Sequence, residues 1–162
     1  MFLVVPTVEK EMLIGVLKKS AGLAFIVVSL AAAPALAMDN TLTQGGPDLT
    51  KARALIKAED WAAAIKELKR LEIQGLNADV LNLLAFSQRK SGDFETAYKN
   101  YQRALKIDPN HKSAREYLGE LYIQTGRIEE ARAQLDILKR LCPEGCEERE
   151  DLEEALAEAA PK

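Results

Sequence analysis

The chain has 162 residues, with 22 Lys and Arg against 25 Asp and Glu, one His and two Cys, and it is 48% hydrophobic. This length fits a single globular domain, and the net charge of −3 argues against a protein that binds nucleic acid by neutralising phosphates. One His and two Cys offer few ligands for a transition metal, so no metal and no other cofactor is expected.

The N-terminal segment has the three-part layout of a secretory signal peptide. Lys18 and Lys19 precede the apolar run of residues 21–30, and small residues follow up to an A-x-A motif at Ala35 and Ala37. Residues 1–37 are therefore predicted to be a signal peptide that is cleaved after Ala37. The mature protein is expected in the periplasm of a Gram-negative bacterium.

Two alternatives for this segment stay open. Residues 20–38 carry no charge over 19 residues, which approaches the length of a membrane span, so an uncleaved anchor is the rival hypothesis. Met12 is a candidate for the true start, because the acidic residues just before it are unusual in a signal peptide. Residues 38–47 are polar and contain Gly and Pro, which predicts a flexible lead-in.

A period of 34 residues runs through the rest of the chain. Four residues of one segment, Gly92, Ala97, Tyr101 and Pro109, are followed 34 positions later by Gly126, Ala131, Leu135 and Pro143. Apolar residues within each segment recur at i, i+4 and i+7, which is typical of one face of a helix. The glycines and prolines punctuate these helices, so the pattern predicts helix–turn–helix pairs.

This pattern resembles the tetratricopeptide repeat, whose signature runs W-x2-L-G-x2-Y, then A-x3-F, then P. The last copy follows it with Leu118-Gly119-x2-Tyr122, Ala131-x3-Leu135 and Pro143. The middle copy departs from it at Gln88, where an aromatic residue is usual. An earlier copy around Ala64 is degenerate, with Leu76 in place of the proline.

The resemblance implies an all-α fold in which three helix–turn–helix pairs form a right-handed superhelical stack. The pairs are placed at about residues 48–77, 78–111 and 112–143. The stretch 147–160 has apolar residues on one helical face and acidic residues on the other. Residues 144–162 are therefore predicted to form a capping helix and a short tail.

The same resemblance places the first helix of each pair on the concave side of the stack. The candidate partner-binding groove there consists of Arg53, Lys57, Asn82, Phe86, Arg89 and Lys90. The ring would offer apolar area, the cations would hold carboxylates, and the amide would pair with a peptide backbone. The positions of the third pair that correspond to the last four are Glu116, Glu120, Ile123 and Gln124, so the groove would run from basic to acidic.

Interpretations of these residues without a role in binding stay open. Phe86 could simply fill the seam between the first helices of the second and third pairs. Arg89 and Lys90 could be ordinary solvated charges near the end of a helix, where cations are favoured. The lone His111 is interpreted as an exposed turn or cap residue and not as a catalyst.

Cys142 and Cys146 flank a short Pro-Glu-Gly segment at the end of the last repeat. In an exported protein a disulfide is the default for such a pair, and it is the favoured hypothesis here. Free thiols and a redox or metal role are the alternatives, but C-x3-C is not the C-x-x-C redox motif.

Neither a nucleophile–base pair nor a Gly-rich phosphate loop is apparent, so no enzymatic activity is expected. The predicted function is a protein-interaction module, a periplasmic adaptor or assembly factor that binds a protein or peptide in its groove. Residues 38–141 carry 17 basic and 15 acidic residues, which favours an acidic partner. Nucleic acid and small-molecule substrates are not expected, and a membrane-tethered assembly subunit is the alternative if the N-terminal segment is retained.

Overall fold

The computed structural model describes residues 46–160. The predicted signal peptide, its cleavage site at Ala35 and Ala37, and most of the predicted lead-in lie outside this part of the chain. Seven α-helices and no strands occur in residues 46–160. They are α1 Thr50–Lys57, α2 Trp61–Gln74, α3 Ala78–Lys90, α4 Phe94–Ile107, α5 Lys112–Gln124, α6 Ile128–Leu141 and α7 Glu147–Glu158. None of these helices has both the length and the apolar character needed to cross a membrane.

Short polar side chains start several of the helices. Each cap side chain accepts a hydrogen bond from the backbone N–H three residues later, which satisfies one of the free donors of the first turn. These caps are Asp60 at α2, Asn77 at α3, Asp93 at α4 and His111 at α5. The first pair, which is degenerate in sequence, thus still begins its second helix with an aspartate cap.

The turn inside each pair needs one residue in the left-handed backbone region. Gly92 and Gly126 supply it in the second and third pairs, with φ of 89° and 74°. In the first pair the same position is held by Glu59, at φ 56°. A side chain is disfavoured there, so the first pair adopts the turn of the other pairs at a cost in backbone strain.

The helices pack as three antiparallel pairs, α1 with α2, α3 with α4 and α5 with α6, and successive pairs stack on one another. Small residues line the contacts between helices, and Ala64, Ala85, Ala97 and Ala131 are completely buried. Larger core residues such as Tyr101 fill the space between the pairs. The predicted all-α fold of three helix pairs is confirmed.

The first helices form the inner side of this stack. Helix α3 packs directly on α5, and α5 packs on α7. The second helices α2, α4 and α6 pack mainly on first helices, and α2 and α4 are linked by an ion pair between two long side chains, Arg103 and Glu72, at 2.6 Å. Because α3 and α5 pack directly on each other while α2 and α4 are linked through long side chains, the first-helix side is the concave one.

Helix α7 packs on α5 and α6 and closes the third pair. Its Leu152 is completely buried against Gly119 of α5, where a Cβ atom would lie only 2.6 Å from either methyl carbon of that leucine. Glycine at this position therefore lets α7 approach closely. The capping helix predicted from the amphipathic pattern is confirmed.

Candidate functional site

Phe86 lies in the middle of an aromatic row on the first-helix side. Its ring centroid is 6.0 Å from that of Trp61 at the start of α2 and 4.8 Å from that of Tyr117 on α5. The ring is half-buried. Phe86 therefore fills the seam between α3 and α5 while keeping part of its surface on the concave side.

Arg89 is buried, with its side chain 3% exposed, and its guanidinium pairs with the carboxylate of Glu120 on α5. It also lies over the rings of Phe86 and Tyr117, at 5.4 and 5.8 Å from their centroids. The interpretation of Arg89 as a solvated charge is thus wrong, because α5 covers it and supplies its partner. Within the described chain this cation already has a carboxylate, so it is not free to hold one from a ligand.

Asn82 is also buried, at 3% exposure, and its Oδ1 has no hydrogen-bond partner within the described residues. Burying an unpaired carbonyl oxygen costs about 1–3 kcal/mol. The sequence pattern placed Asn82 on the groove face but did not indicate this burial.

A depression of about 270 Å³ opens beside this amide on the concave side. Its lining includes Arg53 and Lys57 of α1, Asn82 of α3, and His111, Ser113 and Tyr117 at the start of α5. A second depression of about 410 Å³ lies between the C-terminal ends of α3 and α5 and helix α7, with Arg89, Lys90 and Glu120 on its wall. The six predicted groove residues thus share one side of the stack, but they are divided between two depressions and the Phe86 seam.

The accessible cations of this side are Arg53, Lys57 and Lys90. All three are exposed, and none forms an ion pair with any residue of the described part. The ammonium group of Lys90 lies 6.0 Å from the ring centroids of both Trp61 and Phe86. These cations remain available to an anionic ligand, in contrast to Arg89.

Glu116 occupies on α5 the position that Asn82 occupies on α3, 34 residues earlier. It is only 6% exposed. Burial raises the pKa of its carboxyl from 4.5 to about 8, and the nearby charges of Glu120, Asp151 and Glu148 add to the effect. The sequence pattern places Glu116 at an acidic position of the groove. The burial that raises its pKa depends on the packing of α7 on α5.

His111 is a structural residue of the α5 N-terminus. Its Nδ1 accepts a hydrogen bond from the Ala114 N–H at 3.2 Å, and its Nε2 lies 3.1 Å from Asp79 Oδ1. Because Nδ1 is an acceptor, the proton of the neutral ring is on Nε2 and is donated to Asp79. No group of three or more His, Cys, Asp or Glu within residues 46–160 is arranged to hold a metal ion.

Cys142 and Cys146 are joined by a disulfide, with 2.11 Å between the sulfur atoms. The bridge closes the turn between α6 and α7. It lies at the base of the capping helix, and neither cysteine lines either depression.

Comparisons with known proteins bear on the repeat. Residues 88–141 match the family model of the tetratricopeptide repeat. The chain is also 33% identical over 105 residues to cellulose synthase operon protein C of Pseudomonas fluorescens (strain SBW25). That alignment covers 64% of this chain but only 8% of the relative.

Solved structures with the same helical-repeat architecture include three proteins. The type III secretion translocator chaperone SycD of Yersinia enterocolitica has a TM-score of 0.61, 17% identity, and coverage of 67% of this chain and 86% of that one. PcrH, in complex with the chaperone binding region of PopB, has a TM-score of 0.57, 18% identity, and coverage of 68% and 89%. MamA has a TM-score of 0.56, 18% identity, and coverage of 68% and 73%. These similarities show the fold.

Proposed function

We propose that this protein is a non-enzymatic interaction module that binds an extended or helical segment of a partner protein on its concave side. The observation that carries the proposal is the amide of Asn82, a residue that lines an open depression and whose buried Oδ1 has no donor in the described fold. A peptide N–H group is the donor that such an acceptor takes in a binding groove. Arg53 and Lys57 beside it form no ion pair within the described chain, and Asp79, which lines the same depression, pairs with His111 instead.

The related fold of PcrH gives support of a second kind. Its crystal structure holds the chaperone binding region of PopB, which is an example of a similar helical stack with a segment of another protein bound. In the proposed complex, the half-exposed ring of Phe86 would supply apolar contact area to the bound segment. Binding of this type requires little rearrangement, because the groove is formed by packed helices.

We further propose that the module acts in the periplasm, as an adaptor or assembly factor, after cleavage of the N-terminal segment following Ala37. The signal-like layout of residues 18–37 supports this location. A disulfide between Cys142 and Cys146 fits an oxidising compartment as well. Retention of the segment would make the protein a membrane-tethered assembly subunit instead, and cell fractionation distinguishes the two.

The test is a crosslinked pull-down from the periplasm of the source organism with wild-type protein and a Lys57→Glu/Lys90→Glu variant. Both lysines are exposed and unpaired in the described chain, so the fold should survive their reversal. The matched control is Lys106→Glu, an exposed residue of the second helix α4. We expect a protein that is captured by the wild type and by the control but lost from the groove variant.

Two results would contradict the proposal in different ways. A partner captured equally by all three proteins would move the binding surface away from the concave side. Capture of nothing by any of them would argue against an adaptor, and the mass of the protein in solution would then test for self-assembly.

A further inference from the structure

A depression of about 550 Å³ lies between the second helices α4 and α6, and residues of α5 line it too. Its lining consists of cations, amides and leucines, namely Arg103, Lys106, Arg115, Gln102, Gln134, Leu105 and Leu118. No acidic residue of the described chain belongs to this lining. Because second helices border it, this convex depression is a separate surface from the concave groove.

The cations of the convex depression are only partly compensated within the described fold. Arg103 pairs with Glu72 at 2.6 Å. Arg115 donates a hydrogen bond to the carbonyl oxygen of Pro109 at 2.6 Å, which is a neutral acceptor. Lys106 is exposed and forms no ion pair with a described residue. Two of the three lining cations therefore lack an ion pair within the described chain.

Arg140 on α6 adds positive charge close to Arg115. It is exposed and forms no ion pair within the described part of the chain. Burial and the charge of Arg140 lower the pKa of Arg115, and the smaller effect of Asp108 acts in the opposite direction. The four cations are thus accompanied by two acids, Glu72 and Asp108, so the convex depression favours an anionic ligand.

Helix α7 presents the opposite charge on its outer side. Over residues 147–158 it has seven acids and one base. Its exposed acids share one helical face, which we call the acidic face and which consists of Glu147, Glu150, Asp151, Glu154 and Glu158. None of these acids forms an ion pair with a described residue. Leu152 and Leu156 are buried on the opposite side of the helix, so the acidic face points away from α5 and α6.

Going beyond the proposed function, we propose that the convex depression of one molecule binds the acidic face of α7 of a second copy. Acids one turn apart on α7, such as Glu150 and Glu154, approach Lys106 and Arg140 in the depression. Charge complementarity favours this occupant, because both surfaces carry charges that the described fold leaves without partners. The two surfaces differ, so the contact is heterologous and each copy can use both of them.

The first test is the mass of the purified protein in solution, measured by sedimentation at two ionic strengths. Exposed charges are screened by salt. We therefore expect association at about 20 mM salt and weakening of the association by about tenfold or more at about 0.5 M salt. A protein that is monomeric at low salt, or whose association does not respond to salt, would overturn the inference.

The second test reverses the charges of each surface separately. Lys106→Glu/Arg140→Glu alters the convex depression, and Glu150→Lys/Glu154→Lys alters the acidic face. Each variant alone should lose self-association while its helicity is unchanged. The control is Lys66→Glu/Lys69→Glu, which reverses two exposed cations of α2 without a described ion pair and should associate as the wild type does. Loss of association in this control as well would show an effect of net charge and contradict the assignment.

A mixture of the two surface variants tests whether the two surfaces meet each other. The first variant retains an intact acidic face and the second an intact convex depression, so association is expected to return when they are mixed. A mixture that stays monomeric would overturn the inference. The proposed function fails separately, because both variants leave the concave cations unchanged and should still capture a partner in the pull-down.

Discussion

At the residue scale, Glu59 shows that the degenerate first repeat has a strained turn residue, which lowers the stability of the fold. It holds the turn position that Gly92 and Gly126 hold in the other pairs, and its φ of 56° is left-handed. A left-handed residue with a side chain costs about 1–2 kcal/mol, and part of this is offset by the lower flexibility of glutamate in the unfolded chain.

Glu59→Gly is therefore expected to raise the free energy of unfolding by about 0.5–1 kcal/mol, measured by urea denaturation. Ala58 next to it has an ordinary φ of −81°, so Ala58→Gly is the control and should give no gain. A loss of stability in Glu59→Gly would show that the turn is not strained.

Asn82 offers a second prediction at this scale. Its buried amide is expected to lower the stability of the fold while it contributes to the proposed binding. Leucine has a similar volume and no unpaired oxygen, so Asn82→Leu should raise the free energy of unfolding by about 1 kcal/mol. The same change should abolish capture of the partner in the pull-down. A variant that is stabilised and still binds would show that the amide has no part in binding.

Asn100 is the matched control for this substitution. It is also buried, at 6% exposure, but its amide donates to Gln88 at 2.8 Å and accepts from Arg103 at 2.9 Å. Asn100→Leu leaves Gln88 without its partner, so it should lower the free energy of unfolding where Asn82→Leu raises it.

Sequence periodicity predicted the face on which Asn82, Phe86 and Arg89 lie, but not their burial. Residues at i, i+4 and i+7 share a helix face whatever packs on it. Whether that face meets solvent depends on Tyr117 and Glu120, which a neighbouring helix brings to it from more than 30 positions away. The groove could therefore be placed from one sequence, while the state of each charge in it could not.

At the scale of elements, the docking of α7 depends on one glycine. A Cβ atom at Gly119 would lie 2.6 Å from the methyl carbons of Leu152, so that leucine would have to move. Gly119→Ala is expected to lower the free energy of unfolding by about 1–3 kcal/mol and to increase amide hydrogen exchange in α7. Gly75→Ala is the control, because no atom lies within 4 Å of a Cβ atom there.

Equal hydrogen exchange of α7 in wild type and Gly119→Ala would mean that Leu152 adapts and the capping helix stays in place.

The position of Gly119 could be predicted, because it is part of the repeat signature. Its contact with Leu152 could not, because the signature describes repeats that follow one another and α7 is a helix without a pair.

The repeat elements themselves were predictable because their signals are local. Asp60 and Asp93 start second helices, Gly92 and Gly126 turn the chain, and the prolines end the pairs. These signals act within a few residues of the structure that they determine. The tetratricopeptide repeat model matches residues 88–141, while helices in the same alternation extend from residue 50 to residue 158.

At the scale of the whole molecule, the two buried glutamates give the stability opposite dependences on pH. Hydrogen bonds from Arg70 and Lys51 lower the pKa of Glu67 to about 2, whereas burial raises that of Glu116 to about 8. Glu67 stabilises the fold above pH 4.5, and this contribution is lost as the pH falls towards 2. Between pH 4.5 and 8 the unfolded chain has released the proton of Glu116 while the folded chain retains it, so stability falls as the pH rises.

The thermal midpoint of the wild type should therefore decline from about pH 5 to pH 8, and this decline should be smaller in Glu116→Gln, which has no proton to lose. Lowering the pH below 4.5 should destabilise both proteins, because both retain Glu67. A wild type and a variant with parallel curves from pH 5 to 8 would show that Glu116 ionises normally in the fold. A separation that widens with pH would show that the folded protein holds an acid at the α5–α7 seam whose charge no described cation compensates.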